Sequence, residues 1–340
     1  MNKKSKRKID LKSAILLLLL LAVLLTSSTY AWFTANKTVT VSDIDVHIEA
    51  QNGLQISANG VDWKSIVTID ELKAGYKDET AGIEDTNQFP ATIEPVSTIG
   101  DVAEGKMKMF YGEVNPDNGV YSLTASAESA EVKGTTGRYV AFDIFLKVNQ
   151  DEENVILGAN SQVTFNGAEA ATNKGLQNAA RVAFLKQGNS DASLAASEFM
   201  KQNCAVSFST EDQETTYIWE PNRDVHTANG VKAAYENYRI TTTETGAAAI
   251  PYFGVKQAIT TPVALANTYG VNTTDFASVT PSYSTVEAMT DMNNAFSLKK
   301  GVTKVRVYMW VEGQDVDCEN QASGSDITFK LELKVPENAG

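Results

Sequence analysis

Near its C-terminal end the chain carries the pattern that most restricts its fold: Ile327, Phe329, Leu331, Leu333 and Val335 alternate with Thr328, Lys330, Glu332 and Lys334. Successive side chains of a strand point to opposite sides of the pleat, so this alternation predicts a strand with one dry and one wet face. Lys304 to Glu312 alternates in the same way. At the other end, Val39 and Val41 are followed by Ile44, Val46 and Ile48 after a slip of one residue at Ser42-Asp43. A one-residue slip in a period-two pattern predicts a bulge or a bend. Tyr139 to Val148 is aromatic and β-branched with little polar content, which predicts a central strand covered on both faces.

Shorter strands are predicted over Met107–Glu113 and Val120–Ala125, around an Asn115–Gly119 turn, and over Val155–Leu157, Gln162–Phe165 and Ala180–Leu185. Gly53–Ser57 and Val61–Trp63 flank Asn59-Gly60, a strong hairpin signal. Residues 70–90 read as an acidic loop with one helical turn. Phe89 to Thr98 contains Pro90 and Pro95, which confines it to a sheet edge or an extended connection. From about 188 to 294 the texture changes. Asp191–Gln202 and Lys232–Tyr238 have helical composition, Tyr217–Asn222 reads as a short strand, and the rest is rich in Thr, Ala, Ser and Gly. Roughly ten or more short strands with few helices point to an all-β chain. The expected architecture is an antiparallel, jelly-roll-like β-sandwich over residues 32–340, with a mixed, partly helical elaboration at about 188–294.

The first 31 residues have a different character. Lys3, Lys4, Lys6, Arg7, Lys8 and Lys12 precede the unbroken apolar run Ala14–Leu25, and small residues follow up to Ala31. This is the layout of a signal peptide cut after Ala31. The alternative is a retained membrane anchor, but twelve apolar residues make only about 18 Å of helix against a bilayer core of about 30 Å. The membrane is therefore expected as a partner only through an uncleaved leader. Cleavage would place Trp32-Phe33 and the strand behind it at the mature N-terminus.

Removing the leader leaves 23 Lys and Arg against 41 Asp and Glu, a net charge near −18. Such a chain is repelled by nucleic acid and by anionic lipid, which argues against both as partners. Two cysteines, Cys204 and Cys318, allow either one disulfide in an oxidising exterior or two buried thiols.

Motifs for catalysis are missing. His47 and His226 are the only histidines, and neither belongs to a His-Glu-x-x-His pattern. No Gly-x-Ser-x-Gly, glycine-rich phosphate loop or local Cys-His pair occurs. The expectation is that the chain is not an enzyme and has no catalytic residues or cofactor. One acidic constellation, Glu312 to Asn320, places Asp315, Asp317 and Glu319 at alternate positions, as a Ca²⁺ loop can. The competing reading is a solvated acidic turn.

The basic start, the Leu run and Ser28 to Asn36 resemble the export signal of TasA/camelysin-type proteins of Gram-positive bacteria, which is processed by a dedicated SipW-type signal peptidase. Val307 to Asn320 is similar to a recurring C-terminal motif of secreted proteins with that signal, and Ala180–Phe184 and Ile218–Asn222 go with it. The resemblance implies a secreted jelly-roll subunit of the extracellular (biofilm) matrix or of cell-surface fibres, joined by donated strands. Its partners would be the signal peptidase, further copies of itself and related matrix proteins. Some relatives carry a metallopeptidase label, which no motif around His47 or His226 supports.

Three functions follow as expectations. The first is a structural protein whose N-terminal strand completes its own sheet or a neighbour's, with Trp32, Phe33, Val39, Val41, Ile44, Val46 and Ile48 as the assembly residues. The second is a surface binding module for glycan or protein, using Tyr217, Trp219, Tyr235, Tyr238, Tyr252 and Phe253. The third is a secreted hydrolase.

Overall fold

The structure, a computed structural model, describes residues 39–48 (by their backbone), 53–117, 120–150, 153–166, 173–203, 216–232, 234–235, 250–264, 272–279, 281, 296–318 and 326–335. The fold is an all-β sandwich. Among the described residues, twelve strands form its two sheets: β1 (Val39–Ile48), β2 (Gln55–Ser57), β3 (Ile66–Val67), β4 (Thr92–Ile93), β5 (Val140–Val148), β6 (Glu153–Leu157), β7 (Gln162–Phe165), β8 (Ala180–Ser190), β9 (Thr216–Trp219), β10 (Phe296–Leu298), β11 (Gly301–Val311) and β12 (Asp326–Lys334). The seven-stranded sheet runs β10-β6-β12-β1-β3, with β7 also on β12 and β4 also on β1. The five-stranded sheet runs β9-β8-β11-β5-β2. Pairing of β1 with β12 is parallel, whereas the other strand pairs of the two sheets are antiparallel.

The core between the sheets is made by the alternating residues that the sequence marks as dry. Ile327, Phe329, Leu331 and Leu333 of β12 meet Val305, Val307, Met309 and Val311 of β11 and Phe142, Ile144 and Leu146 of β5, all buried in one cluster. The predicted wet face of β12 holds for Thr328, Lys330 and Lys334, which are half-buried, but not for Glu332. Its carboxylate is buried because Oε2 accepts from the Asn160 amide at 3.0 Å.

The outer face of the five-stranded sheet is buried too. Tyr139, Ala141, Ala183, Leu185, Tyr308 and Trp310 lie beneath Val96, Met107, Met109, Tyr252 and Val279. Those covering residues belong to a third layer that includes a sheet of strands 110–117, 120–127 and 259–264 and the hairpin of 252–255 with 276–279. Further along the same face Phe145 and Val302 lie beneath Tyr76, Phe199 and Met200. Every residue of β11 is buried as a result. The expectation that Tyr139–Val148 is covered on both faces is met, and β11 shares that position.

The slip at Ser42-Asp43 appears as a register shift between Val41 and Asp43. The predicted hairpin at Asn59-Gly60 shrinks to one bridge, Ile56 with Lys64, and β2 pairs with β5 instead. The side chain of Asn59 explains this: Oδ1 accepts from the amides of Val61 and Asp62 at 2.9 Å and opens the turn into a wider loop. The helical turn expected within 70–90 is α1 (Ile69–Ala74), closed at its start by a capping box of Thr68 and Glu71. Helical composition at 191–202 yields only α2 (Ala196–Met200). The second expected helix begins earlier than predicted, as α3 (Ala228–Lys232). The 188–294 stretch also supplies β9 to the main sheet and strand 259–264 to the third layer.

Candidate functional site

Two arrangements stand out, and both involve the C-terminal strands. The first is the slot that holds β1. Its register with β12 runs from Thr40 opposite Asp326 to Ile48 opposite Leu333, and it sets Val41, Ile44, Val46 and Ile48 level with Ile327, Phe329, Leu331 and Leu333. The bulge brings this about, since it returns the apolar series of β1 to step after the slip at Ser42. On its other side β1 meets β4 at Val39 and Thr40, and β3 at Val46 and His47. Thus β1 is paired within its own chain. Trp32 and Phe33 of the predicted assembly strand lie outside the described residues.

The second arrangement joins three separate segments of the chain. Arg181 of Ala180–Phe184, Glu220 of Ile218–Asn222 and Asp315 of the C-terminal motif come from three parts of the chain and meet in the interior. Arg181 Nη2 donates to Glu220 Oε1 at 2.6 Å and to Asp315 Oδ2 at 2.5 Å, and the guanidinium is fully buried. Its Nη1 donates to the main-chain oxygens of Asn178 and Ala180 at 3.1 and 2.9 Å, and the ring of Tyr252 lies 4.8 Å from Cζ. Strand pairing builds this cluster: β9 and β11 flank β8, so Glu220 and the loop leaving β11 arrive on either side of Arg181.

The loop after β11 then folds on itself. Asp315 Oδ1 accepts from the Asp317 amide at 2.8 Å, and Asp317 Oδ1 accepts from both the amide and the hydroxyl of Thr227 at 2.8 and 2.7 Å. Asp317 Oδ2 is 2.7 Å from His226 Nδ1. Both carboxylates are therefore engaged at both oxygens. His226, Asp315 and Asp317 lie close enough to share an ion, but a cation there would have to compete with Arg181 for Asp315 and with Thr227 for Asp317. The geometry is that of a staple fastening the end of β11 to β8 and to the turn before α3. Glu319, the third calcium candidate, lies outside the described residues, as does Cys204; Cys318 is buried in the sandwich core.

Burial dominates the electrostatics of this cluster. It raises the carboxyls of Glu220 and Asp315 against the pull of Arg181. Glu312, fully buried with Oε2 3.1 Å from Trp310 Nε1 and Oε1 3.0 Å from the Gln314 amide, is pushed up to about 7 by burial, and bonds with Ser97 and Trp310 only partly offset this. A raised acid favours the folded state while protonated, so its contribution is intact below about pH 4.5 and is lost as pH rises through about 7. Roughly 3 kcal/mol is at stake. We expect the melting temperature of the protein to fall across this window and that part of the slope to vanish in Glu312→Gln. Thermal melts at pH 4 to 8 on both proteins measure it, and an unchanged slope in the variant would count against the assignment.

The aromatic residues expected as a contact surface do not converge. Trp219 is buried in the sandwich core with Tyr217 packed against it, Tyr252 is buried in the layer above Trp310, and Phe253 packs against a third cluster. Tyr235 is half-buried, and Tyr238 lies outside the described residues. His47 stands in register between Ile66 and Glu332 in the seven-stranded sheet, whereas the cluster around His226 is carried by strands of the five-stranded sheet. Local sequence could not reveal the Arg181 cluster, because its three members are separated by 39 and 134 residues.

No family model, no curated protein and no solved structure matches this chain.

Proposed function

We propose that this chain is an exported structural protein of a bacterial surface or extracellular matrix, in which β1 is an exchangeable strand. It closes the seven-stranded sheet of its own fold or of a neighbouring copy. The supporting observation is the parallel pairing of β1 with β12 along eight register positions. A parallel neighbour cannot come from a hairpin and must be brought in from elsewhere in the chain. Without β1, one edge of β12 would carry unpaired backbone groups beside the apolar row Ile327, Phe329, Leu331 and Leu333, which is a template for any strand of matching pattern. The leader with its SipW-type resemblance supplies the export route, and the acidic surface suits a solvated extracellular setting.

The test compares a protein starting at Trp32 with one starting at Gln51, by light scattering and negative-stain microscopy. Exchange predicts concentration-dependent oligomers or fibres from the longer form. The shorter form should fold only when a peptide of residues 36–51 is added. A longer form that stays monomeric at all concentrations, with a shorter form that no peptide restores, would rule out exchange and leave β1 as a fixed part of its own sandwich.

A further inference from the structure

The apolar pattern by itself leaves the register of β1 open. Dry residues recur at every second position, so a slip of two residues along β12 keeps the same face of β1 on the core. In the observed register Ile44, Val46 and Ile48 stand opposite Phe329, Leu331 and Leu333. Sliding β1 toward the end of β12 would set them opposite Leu331, Leu333 and Val335, and Val335 is buried in the same cluster. Sliding it the other way would set them opposite Ile327, Phe329 and Leu331. All three registers are equally apolar.

Charges at the intervening positions tell the registers apart. As observed, Asp45 stands opposite Lys330, His47 opposite Glu332, Asp43 opposite Thr328 and Thr40 opposite Asp326, so no like charges share a position. The first slip would bring Asp45 to Glu332 and His47 to Lys334. The second would bring Asp43 to Asp326 and His47 to Lys330. Residues at one register position lie side by side on one face of the sheet, where opposite charges attract and like charges destabilise. Glu332 makes the first slip the costlier, because its carboxylate is already buried, with Oε2 3.0 Å from the Asn160 amide. The other neighbours of β1 present no charge at their paired positions: β4 offers Thr92 and Ile93, and β3 offers Ile66 and Val67. Selection of the register therefore falls to β12.

Building on the reading of β1 as an exchangeable strand, we propose that Asp45 and Lys330 form the specificity-determining pair of the slot. They fix the parallel register and restrict the occupant to a strand with a carboxylate opposite Lys330 and none opposite Glu332. The partner that fits is β1 of a second copy of this chain, and a strand that matches only the apolar rows is rejected.

The test is a charge-reversal cycle in the protein starting at Trp32: Asp45→Lys, Lys330→Asp and the two together. Each single variant is expected to show a urea unfolding constant about fivefold above wild type, because an attractive pair becomes a repulsive one, and the double variant is expected to return to near wild type. Should a reversal fail to fold, Asp45→Asn and Lys330→Gln close the same cycle. The two single variants are then mixed, one of them labelled with ¹⁵N, and followed by light scattering and native mass spectrometry. Alone, each sets like charges in the slot, whereas strand exchange between them restores an opposite pair in both directions. Hetero-oligomers are therefore expected to exceed homo-oligomers about tenfold or more beyond statistical mixing. A double variant no more stable than the sum of the single effects, or oligomers that mix the variants in statistical proportion, would overturn the proposal and leave exchange of β1 standing. A coupled cycle with no oligomers from wild type or mixture at any concentration would defeat the exchange reading instead, and donor selection with it.

Discussion

Replacing Arg181 with alanine is expected to destabilise the protein by about 3–5 kcal/mol, the scale for removing one partner of a buried ion cluster. Single domains have only about 5–15 kcal/mol in hand, so the variant should lie near the edge of folding. The effect is large because of what remains. Glu220 and Asp315 would stay buried without the cation that both accept from. Burial already raises both carboxyls, and without the guanidinium they would rise further and take up protons. The loss should therefore be smaller at pH 5 than at pH 8. Arg181→Lys should fall between wild type and alanine, since an ammonium cannot reproduce the planar fork that reaches Glu220, Asp315 and two main-chain oxygens together. Urea unfolding followed by the fluorescence of buried Trp219 and Trp310 measures all three. A loss below about 1 kcal/mol at pH 8 would show that the staple does not hold the fold together.

Asp143→Ala should have a similar cost, by the same argument with the charges reversed. Asp143 accepts from Tyr76 Oη at 2.7 Å and from Arg306 Nη1 at 2.8 Å, with Lys304 Nζ at 3.3 Å. Its removal would leave Arg306 with Glu131 as its remaining carboxylate among the described residues, and would take from buried Lys304 the carboxylate 3.3 Å away. This site also fixes an acid limb of stability. Burial, the largest single influence, pushes the Asp143 carboxyl up, but Lys304, Arg306 and the bond from Tyr76 outweigh it and hold the carboxyl down to about 2. A depressed acid stabilises the folded state when ionised, so the contribution is complete above about pH 4 and is lost as pH falls through about 2. It amounts to roughly 2 kcal/mol. Melts between pH 2 and 5 should show this limb in the wild type and not in Asp143→Asn. The two buried acids act in opposite directions: Asp143 penalises strong acid and Glu312 penalises neutral pH, which places the optimum these two groups favour near pH 4–5.

Much of the fold was legible because strands write their period into the chain. The alternation at 327–335, the run at 139–148 and the slip at Ser42-Asp43 each correspond to a feature of the sandwich. The Asn59-Gly60 signal misled for a local reason, since the Asn59 side chain bonds two amides and favours a wider loop over a two-residue turn. Lys304 and Arg306 misled for a distant one. Charges at alternate positions of β11 read as a wet face, yet a third layer covers them and Asp143 and Glu131 neutralise them.

The sequence by itself determined the strand identities, the one-sided apolar rows and the bulge in β1, because each depends on neighbours within a few residues and on a fixed period of two. Only the tertiary structure decided which strands became neighbours: that the first and last strands of the sandwich pair in parallel, and that three separate segments meet at Arg181. Those outcomes rest on contacts between residues far apart in the chain, whose energies come from burial and from charge partners that no local window of sequence contains.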